Sequence, residues 1–392
     1  MPFAHIDCFS GPGGICTGFR AAGIHTKVAI ELVKTCVDTY KKNHNHVHII
    51  HSDIRNVMLK QIVDYIPKNG VDIVSSGMPC ETFSTAGSSS RSFYDDRCFL
   101  FREGIRIAKI SNAKMILFEN VPAIMTKRVS KTSKELIVDI IKKELSDVGY
   151  KNIIEVVLNS VNYGVPQRRK RYFILACKYK NWILSSPDII NTSEISVSDA
   201  FAGLPNVIPN SEEEGKYYTD TTSEYANLLR NNDFWKLHGD NTITYHMPMN
   251  HRACTLERFS LLQPGEGLKD LFDRYTGEKR EELQSRRVMP KKVFIKRNYR
   301  LKLSEPSPTL TSHCLDEFVH PIYDRALTVR ECARLQSFPD SYDFAGGPYI
   351  IPHINKDIQD KYEQIGDAVP PLLAYAWGKK ISEILDENIN DC

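Results

Sequence analysis

The sequence predicts an α/β protein, a large domain on a mostly parallel sheet with a smaller, irregular domain beside it. Three observations support this. Over the first 180 residues, short apolar runs alternate with helix-patterned stretches, the rhythm of βαβ units. The first run leads into a glycine turn, Gly11-Pro12-Gly13-Gly14, ahead of a helical pattern. The next two runs close on acids, Glu31 and Asp53, spaced 24 and 22 residues after Asp7 and Glu31 respectively.

At 392 residues the chain exceeds the roughly 250–300 residues over which a single core keeps growing, so two or three domains are expected. With 42% apolar and 25% charged residues it belongs with ordinary globular chains, which excludes collagen-like and disordered classes. Lys plus Arg number 51 against 48 acids, so the distribution of charge matters more than its total. No run approaches the ~18–20 apolar residues of a membrane span, and no membrane partner is expected. Phe3–Cys8 reads as a strand with no secretion signal ahead of it. The ten cysteines form no CxxC pair, arguing against a zinc ribbon or a disulfide framework. A reducing, cytoplasmic location is the expectation.

In order, the expected strands are Phe3–Cys8, Thr26–Ile30, Val47–His51, Val71–Ser75, Lys114–Glu119, Ile153–Leu158 and Arg171–Cys177. Helical patterns fall at Val33–Lys42, Leu100–Ile110 and Lys134–Val148. From about residue 180 to 305 the rhythm is lost and loops intrude, among them the acidic Asn210–Gly215, read as solvated. Arg286–Lys302 then carries eight Lys or Arg and no acid, interleaved with Phe294 and Tyr299. That is either a solvated face or a surface for a nucleic-acid backbone. Helical patterning resumes at Thr328–Gln336 and Pro370–Asp386.

Ligands in such sheets sit beyond the carboxyl ends of the strands, and the reactive residue types gather there. Glycines after the first strand let a ligand approach the backbone; Cys16 stands where a dinucleotide fingerprint would need another glycine. An acid ending the second strand suits a ribose diol, so the pattern reads as a nucleoside-bearing cofactor site. After the fourth strand comes Gly77-Met78-Pro79-Cys80-Glu81-Thr82-Phe83-Ser84, then the Gly/Ser-rich Ala86–Ser90. A lone cysteine is usually a small core hydrophobe, but one following Pro at a strand end is presented outward as a nucleophile. Glu119 follows the apolar Met115–Phe118, where desolvation would raise its pKa and let it donate a proton. Gln167-Arg168-Arg169-Lys170-Arg171 puts Arg169 and Arg171 on one strand face, a positive field of the kind a thiolate needs.

Together these motifs resemble the DNA cytosine-5 methyltransferase family, in its stand-alone bacterial or phage form. The glycine turn, the Pro-Cys loop, Glu119-Asn120-Val121 and Gln167-x-Arg169-x-Arg171 stand in the family's order. Arg325 to Asp340 is similar to the helix supporting the recognition domain, and Gly366-Asp367-Ala368-Val369-Pro370 to the segment that completes the cofactor pocket. The likeness covers about residues 1–178 and 305–392.

The resemblance implies a Rossmann-like, S-adenosylmethionine-dependent methyltransferase domain formed by residues 1–178 and 316–392, with a target-recognition domain at 179–315. It implies S-adenosylmethionine as methyl donor, leaving as S-adenosylhomocysteine, held by Asp7, Phe9, Ser10, Gly11, Gly13, Gly14, Glu31, Leu32, Asp53, Ile54, Pro79, Asp367, Ala368 and Val369. Cys80, Glu119, Arg169 and Arg171 would act on a cytosine flipped out of double-stranded DNA. Ser84, Arg168, Lys291, Lys292, Lys296, Arg297 and Arg300 would meet the DNA, and a cognate restriction endonuclease is an expected partner. Glu81 and Asp367 depart from the Gln and Asn usual in the family. An RNA (tRNA) cytosine methyltransferase of the same fold lacks its Cys-Phe-Thr signature here, and a silent DNA-binding module would not need the full set of reactive residues. No metal is expected, and His44, His46, His48 and His51 read as strand and loop packing.

Overall fold

Seven strands form one twisted sheet in the computed structural model, which describes residues 2–79, 96–130, 133–190, 193–211, 215, 217–239, 242–347 and 358–388. The first half runs β1 (Ala4–Cys8), α1 (Gly14–Ala21), β2 (His25–Glu31), α2 (Lys34–Asn43), β3 (His48–His51), β4 (Ile73–Ser76), α3 (Phe101–Ile110), β5 (Met115–Asn120), α4 (Ile137–Asp147), β6 (Asn152–Asn159), the short β7 (Gln167–Arg168) and β8 (Lys170–Cys177). The sheet order is β3-β2-β1-β4-β5-β8-β6, with β1 to β5 parallel and β8 antiparallel to both its neighbours. Each of the seven expected strands is found, and the sheet is the mostly parallel one predicted.

Alternation decides which side chains face which layer. Ile6, Val74, Ile116, Phe118 and Ile174 point to one face, where α3 and α4 cover them with Phe101, Ile105, Ile141 and Leu145. Met115, Leu117, Phe173 and Leu175 point to the other, against α1 and the last helix, α14 (Pro371–Glu387), which supplies Leu373, Trp377 and Ile381. α1 lies so close to α14 that a Cβ on Gly18 would overlap the Pro371 carbonyl oxygen and the Tyr375 amide.

Between β8 and α14 short helices are joined by long irregular segments: α5 (Val197–Phe201), α6 (Glu224–Arg230), α7 (Asn232–Trp235), α8 (Ala253–Ser260), α9 (Leu268–Arg274) and α10 (Gly277–Ser285). Then come β9 (Tyr299–Arg300), β10 (Ser307–Pro308), α11 (Cys314–Glu317), β11 (Phe318–Val319), α12 (Val329–Leu335) and α13 (Lys361–Asp367). The packing cuts across the expected domain division. Val197, Tyr225, Leu229 and Trp235 share a core with Leu335, Phe338, Tyr362 and Ile365. α8 to α10, with Val288, Met289 and Val319, hold a small core of their own.

No helix among the described residues is long and apolar enough to cross a membrane. The histidine run is dispersed into packing. His44 lies buried 3.1 Å from the Tyr342 hydroxyl, His48 stacks on Tyr65, and His51 meets the Leu32 carbonyl. Gly18→Ala, which must push α14 off α1, is expected to cost about 1–3 kcal/mol in urea denaturation. Gly23→Ala has a left-handed φ of 90° but open space, so it should cost only about 1 kcal/mol.

Candidate active site

β1 has β2 on one side and β4 on the other, so the helices that follow them leave to opposite faces and a crevice opens at the carboxyl ends. Its floor is the turn Phe9–Gly13, in which Phe9, Gly11 and Gly13 all take positive φ. Among the described residues nothing beyond Gly11's chain neighbours lies within 4 Å of where its Cβ would stand, which leaves room for a ligand there. Gly13 and Gly14 stand where other segments pack closely against the turn. A Cβ on Gly13 would press on Tyr342 and His44, and one on Gly14 would overlap the Val369 carbonyl. The Tyr342 hydroxyl donates to the Pro12 carbonyl, holding the turn from behind.

Glu31 ties the crevice together. Its Oε2 accepts from the Gly11 amide at 2.7 Å, and its Oε1 from the amides of Leu32 and Val33 at 2.8 and 2.7 Å. Burial raises its pKa and these three N–H groups oppose the rise. Oε2 keeps a lone pair for a hydroxyl donor. Asp53 caps the turn at Ile54–Asn56 and is paired with Arg55, whose hydrogen bond holds its carboxyl below the usual range. Ile54 is buried, while Leu32 stands exposed at the rim.

Two buried polar atoms here find no partner among the described residues, Ser10 Oγ and Asp7 Oδ2. The other Asp7 oxygen accepts from Ser75 Oγ at 2.6 Å, and Ser75 in turn meets His5 at 2.8 Å. Burial pushes Asp7 up to about 7, against the Ser75 hydrogen bond and aided by the Glu31 charge. An orphaned hydroxyl, an open glycine and a diol-accepting carboxylate fit a nucleoside cofactor with a polar amino-acid tail. On the far side, Val369 backs Gly14, and Asp367 is exposed and accepts from the Gln359 amide at 3.0 Å.

The second half of the site is the end of β5. Glu119 is paired with register partner Phe173 on antiparallel β8, which carries Arg171 just past the strand end. Arg171 Nε lies 2.9 Å from Glu119 Oε1, and both side chains are about nine-tenths buried (11% and 12% exposed). Desolvation raises the Glu119 pKa, while the charges of Arg171 and Arg169 pull it back. A methyl group on Gly77 would stand 3.7 Å from Glu119 Oε2 and 3.9 Å from the Phe9 carbonyl, so the β1 turn, the β4 end and the carboxylate converge. Asn120, which sequence reasoning passed over, donates to the Met78 carbonyl at 3.3 Å and moors the root of the Pro-Cys segment. Pro79 is half-buried at that root; Cys80, Glu81 and Ser84 lie outside the described residues.

Two arginines depart from expectation. Arg169 is fully buried, donating to the carbonyls of Leu310, Gly366 and Ala368. Arg300, expected on a phosphate, is 4% exposed, because pairing of β9 with β11 turns it inward. There it donates to the carbonyls of Phe259 and His320 and pairs with Asp324, which removes it from the DNA-facing set. Arg168 is exposed but paired with Glu194 and Glu305. Lys291, Lys292, Lys296 and Arg297 are exposed as expected, around the apolar Val293, Phe294 and Ile295, the last 73% exposed. Among the described residues no group of three His, Cys, Asp or Glu could hold a metal ion.

The sequence matches the family described as C-5 cytosine-specific DNA methylase over residues 3–383. The chain belongs to that family. It is 33% identical to type II methyltransferase M.DdeI of Desulfomicrobium norvegicum, over 98% of this chain and 89% of that one. It is 31% identical to type II methyltransferase M1.HphI of Haemophilus parahaemolyticus, over 96% and 86%. Among solved structures, one described as a DNA modification methyltransferase encoded within an E. coli prophage matches with TM-score 0.73 and 25% identity, over 98% and 99% of the chains. An Entamoeba histolytica methyltransferase, 13% identical with TM-score 0.55, shares the fold. The methyltransferase moves the methyl group of S-adenosylmethionine to C5 of cytosine in double-stranded DNA.

Asp7 makes a pH prediction. Its folded pKa is raised from 3.8 to about 7, so its contribution is full below pH 4 and lost as pH rises through 7. Asp7→Asn keeps an acceptor for Ser75 and should flatten this decline, by on the order of 2 kcal/mol between pH 5 and 8 in urea midpoints.

Proposed function

We propose that Cys80 is the nucleophile, Glu119 the acid and Arg171 the group that fixes the target base, in a sequence-specific modification methyltransferase. The observation that carries this is the buried Glu119–Arg171 pair, 2.9 Å apart beside Gly77 and Phe9. Cytosine C5 is a poor nucleophile until C6 is attacked. The Cys80 thiolate adds to C6 as Glu119 gives its proton to N3, and Arg171 donates to O2. The resulting enamine carries its electron pair to C5. S-adenosylmethionine supplies an electrophilic methyl on sulfonium. Loss of the C5 proton then drives Cys80 off as thiolate, N3 returns its proton to Glu119, and the aromatic ring is restored. Glu119 suits its part, since burial keeps its proton on to higher pH than an exposed carboxyl would.

Phe9, Ser10, Gly11 and Pro79 would line the methionine side of the cofactor, Glu31 its ribose and Leu32, Asp53 and Ile54 its base, with Asp367–Val369 closing the crevice. The base must leave the stack, at a cost of a few kcal/mol, and Ser84 would contact the opened strand. Lys291, Lys292, Lys296 and Arg297 would lie on phosphates, with Arg168 at the edge of the same surface. Base readout would come from the region of residues 179–315. A cognate restriction endonuclease would be the partner and the cytoplasm the location.

Labelled methyl transfer to mixed genomic DNA and to total RNA, with wild type beside Cys80→Ala, tests the reading. Label on DNA that disappears in the variant is expected, with the methylated positions read by sequencing. Label on RNA alone, or label retained by Cys80→Ala, would overturn it. Separately, Lys292→Gln with Lys296→Gln should reduce the slope of log K against log salt by about 2 on any DNA sequence. An unchanged slope would remove these residues from the phosphates.

A further inference from the structure

Arg169 is a buried cation whose terminal nitrogens join stretches of chain far apart in sequence. Nη1 donates to the Leu310 carbonyl at 2.6 Å, and Nη2 to the Gly366 and Ala368 carbonyls at 2.9 and 3.1 Å. Its own backbone is pinned from the other side, since the Ser160 amide and hydroxyl donate to the Arg169 carbonyl at 2.9 and 3.0 Å. Two residues further on, Arg171 grips Glu119. A parallel set of bonds runs beside it. Gln167 accepts from the Leu310 amide at 2.9 Å and donates to Gln336 at 2.5 Å; Gln336 donates to the same Ala368 carbonyl at 2.6 Å.

These bonds converge on one short stretch, Gly366–Ala368, where α13 ends and the chain turns toward α14. Gly366 is pressed so close to Thr311 that a Cβ would overlap the Thr311 carbonyl. Val369, next along, backs Gly14 of the β1 turn. The stretch therefore touches the floor of the cofactor crevice on one side and the strand of the base pocket on the other. A planar guanidinium can serve three carbonyls at set angles; an ammonium on a flexible stem cannot reproduce that fork.

We propose that Arg169 is a positioning residue for methyl transfer: it holds the Gly366–Ala368 lip of the cofactor crevice in register with the strand that carries Arg171. This rests on the reading of that crevice as the S-adenosylmethionine site. The arginine touches neither the base nor the methyl donor, and its effect passes through the lip.

The test is calorimetric binding of S-adenosylhomocysteine to the full-length protein, together with steady-state kinetics for both substrates. Arg169→Lys keeps the charge and loses the fork. Its dissociation constant for S-adenosylhomocysteine and its KM for S-adenosylmethionine should rise at least tenfold, with kcat at saturating cofactor falling by a smaller factor and KM for DNA moving less. Gln336→Leu removes the second donor to Ala368 and should shift the same constants in the same direction, by a smaller factor. Should Arg169→Lys fail to fold, the Gln336→Leu result decides. Cofactor constants within twofold of wild type in the folded variants would overturn the proposal, as would a loss confined to thermal stability and kcat. If the wild-type protein itself bound no S-adenosylhomocysteine, the crevice reading would be the one that failed.

Discussion

The whole site depends on a strand that runs against its neighbours. β8 lies antiparallel between β5 and β6, and its register sets Phe173 opposite Glu119. Only then does Arg171, at the start of β8, arrive over the carboxylate that ends β5. A parallel strand in that position would bring its carboxyl end there and its first residues to the far edge of the sheet. The pair is balanced between two forces. Burial favours the neutral acid, and the guanidinium favours the carboxylate. Removing Arg171 would leave the acid buried alone, and removing Glu119 would leave an uncompensated buried cation.

A second constraint is closure by the far end of the chain. The β1 turn is bounded by Tyr342 behind Pro12, Val369 against Gly14 and α14 along α1. The floor of the crevice comes from the first twenty residues and its back wall from the last fifty. Gly11 of the turn faces open space among the described residues, while Gly13 of the turn and Gly14 and Gly18 of α1 let later segments approach. All seven strands of the sheet lie before residue 178, but the α1 face of the sheet and the β1 turn are closed over by segments from Tyr342 onward.

Much of this was legible in the sequence because strand period and strand-end chemistry are local. The apolar runs marked all seven strands of the sheet, and Glu31 and Glu119 stood where their strands stop. Less was legible where one residue type serves two purposes. A glycine facing open space and one against which another segment packs look alike in sequence, as Gly11 and Gly14 do. Arginine is harder to place from sequence. Arg325, Arg330 and Arg334 are almost wholly buried, two of them on Glu331 and Asp340. Arg300 sits in a run of eight cations yet faces a core of backbone carbonyls, and nothing in the run distinguishes it from Arg297, which stays outside. The domain division was blurred for a related reason, since α5 to α7 pack across the chain onto α12 and α13.

The most direct test of the account uses a duplex with 5-fluorocytosine at the mapped target, because fluorine cannot leave as the C5 proton does. With S-adenosylmethionine present, wild-type protein should form a stable methylated adduct whose peptide map carries the DNA on Cys80. Glu119→Gln should still bind that duplex but form the adduct about 100-fold more slowly when saturated, the loss of a positioned acid. Trapping at the wild-type rate by Glu119→Gln, or an adduct on any other residue, would contradict the central role given to the Glu119–Arg171 pair.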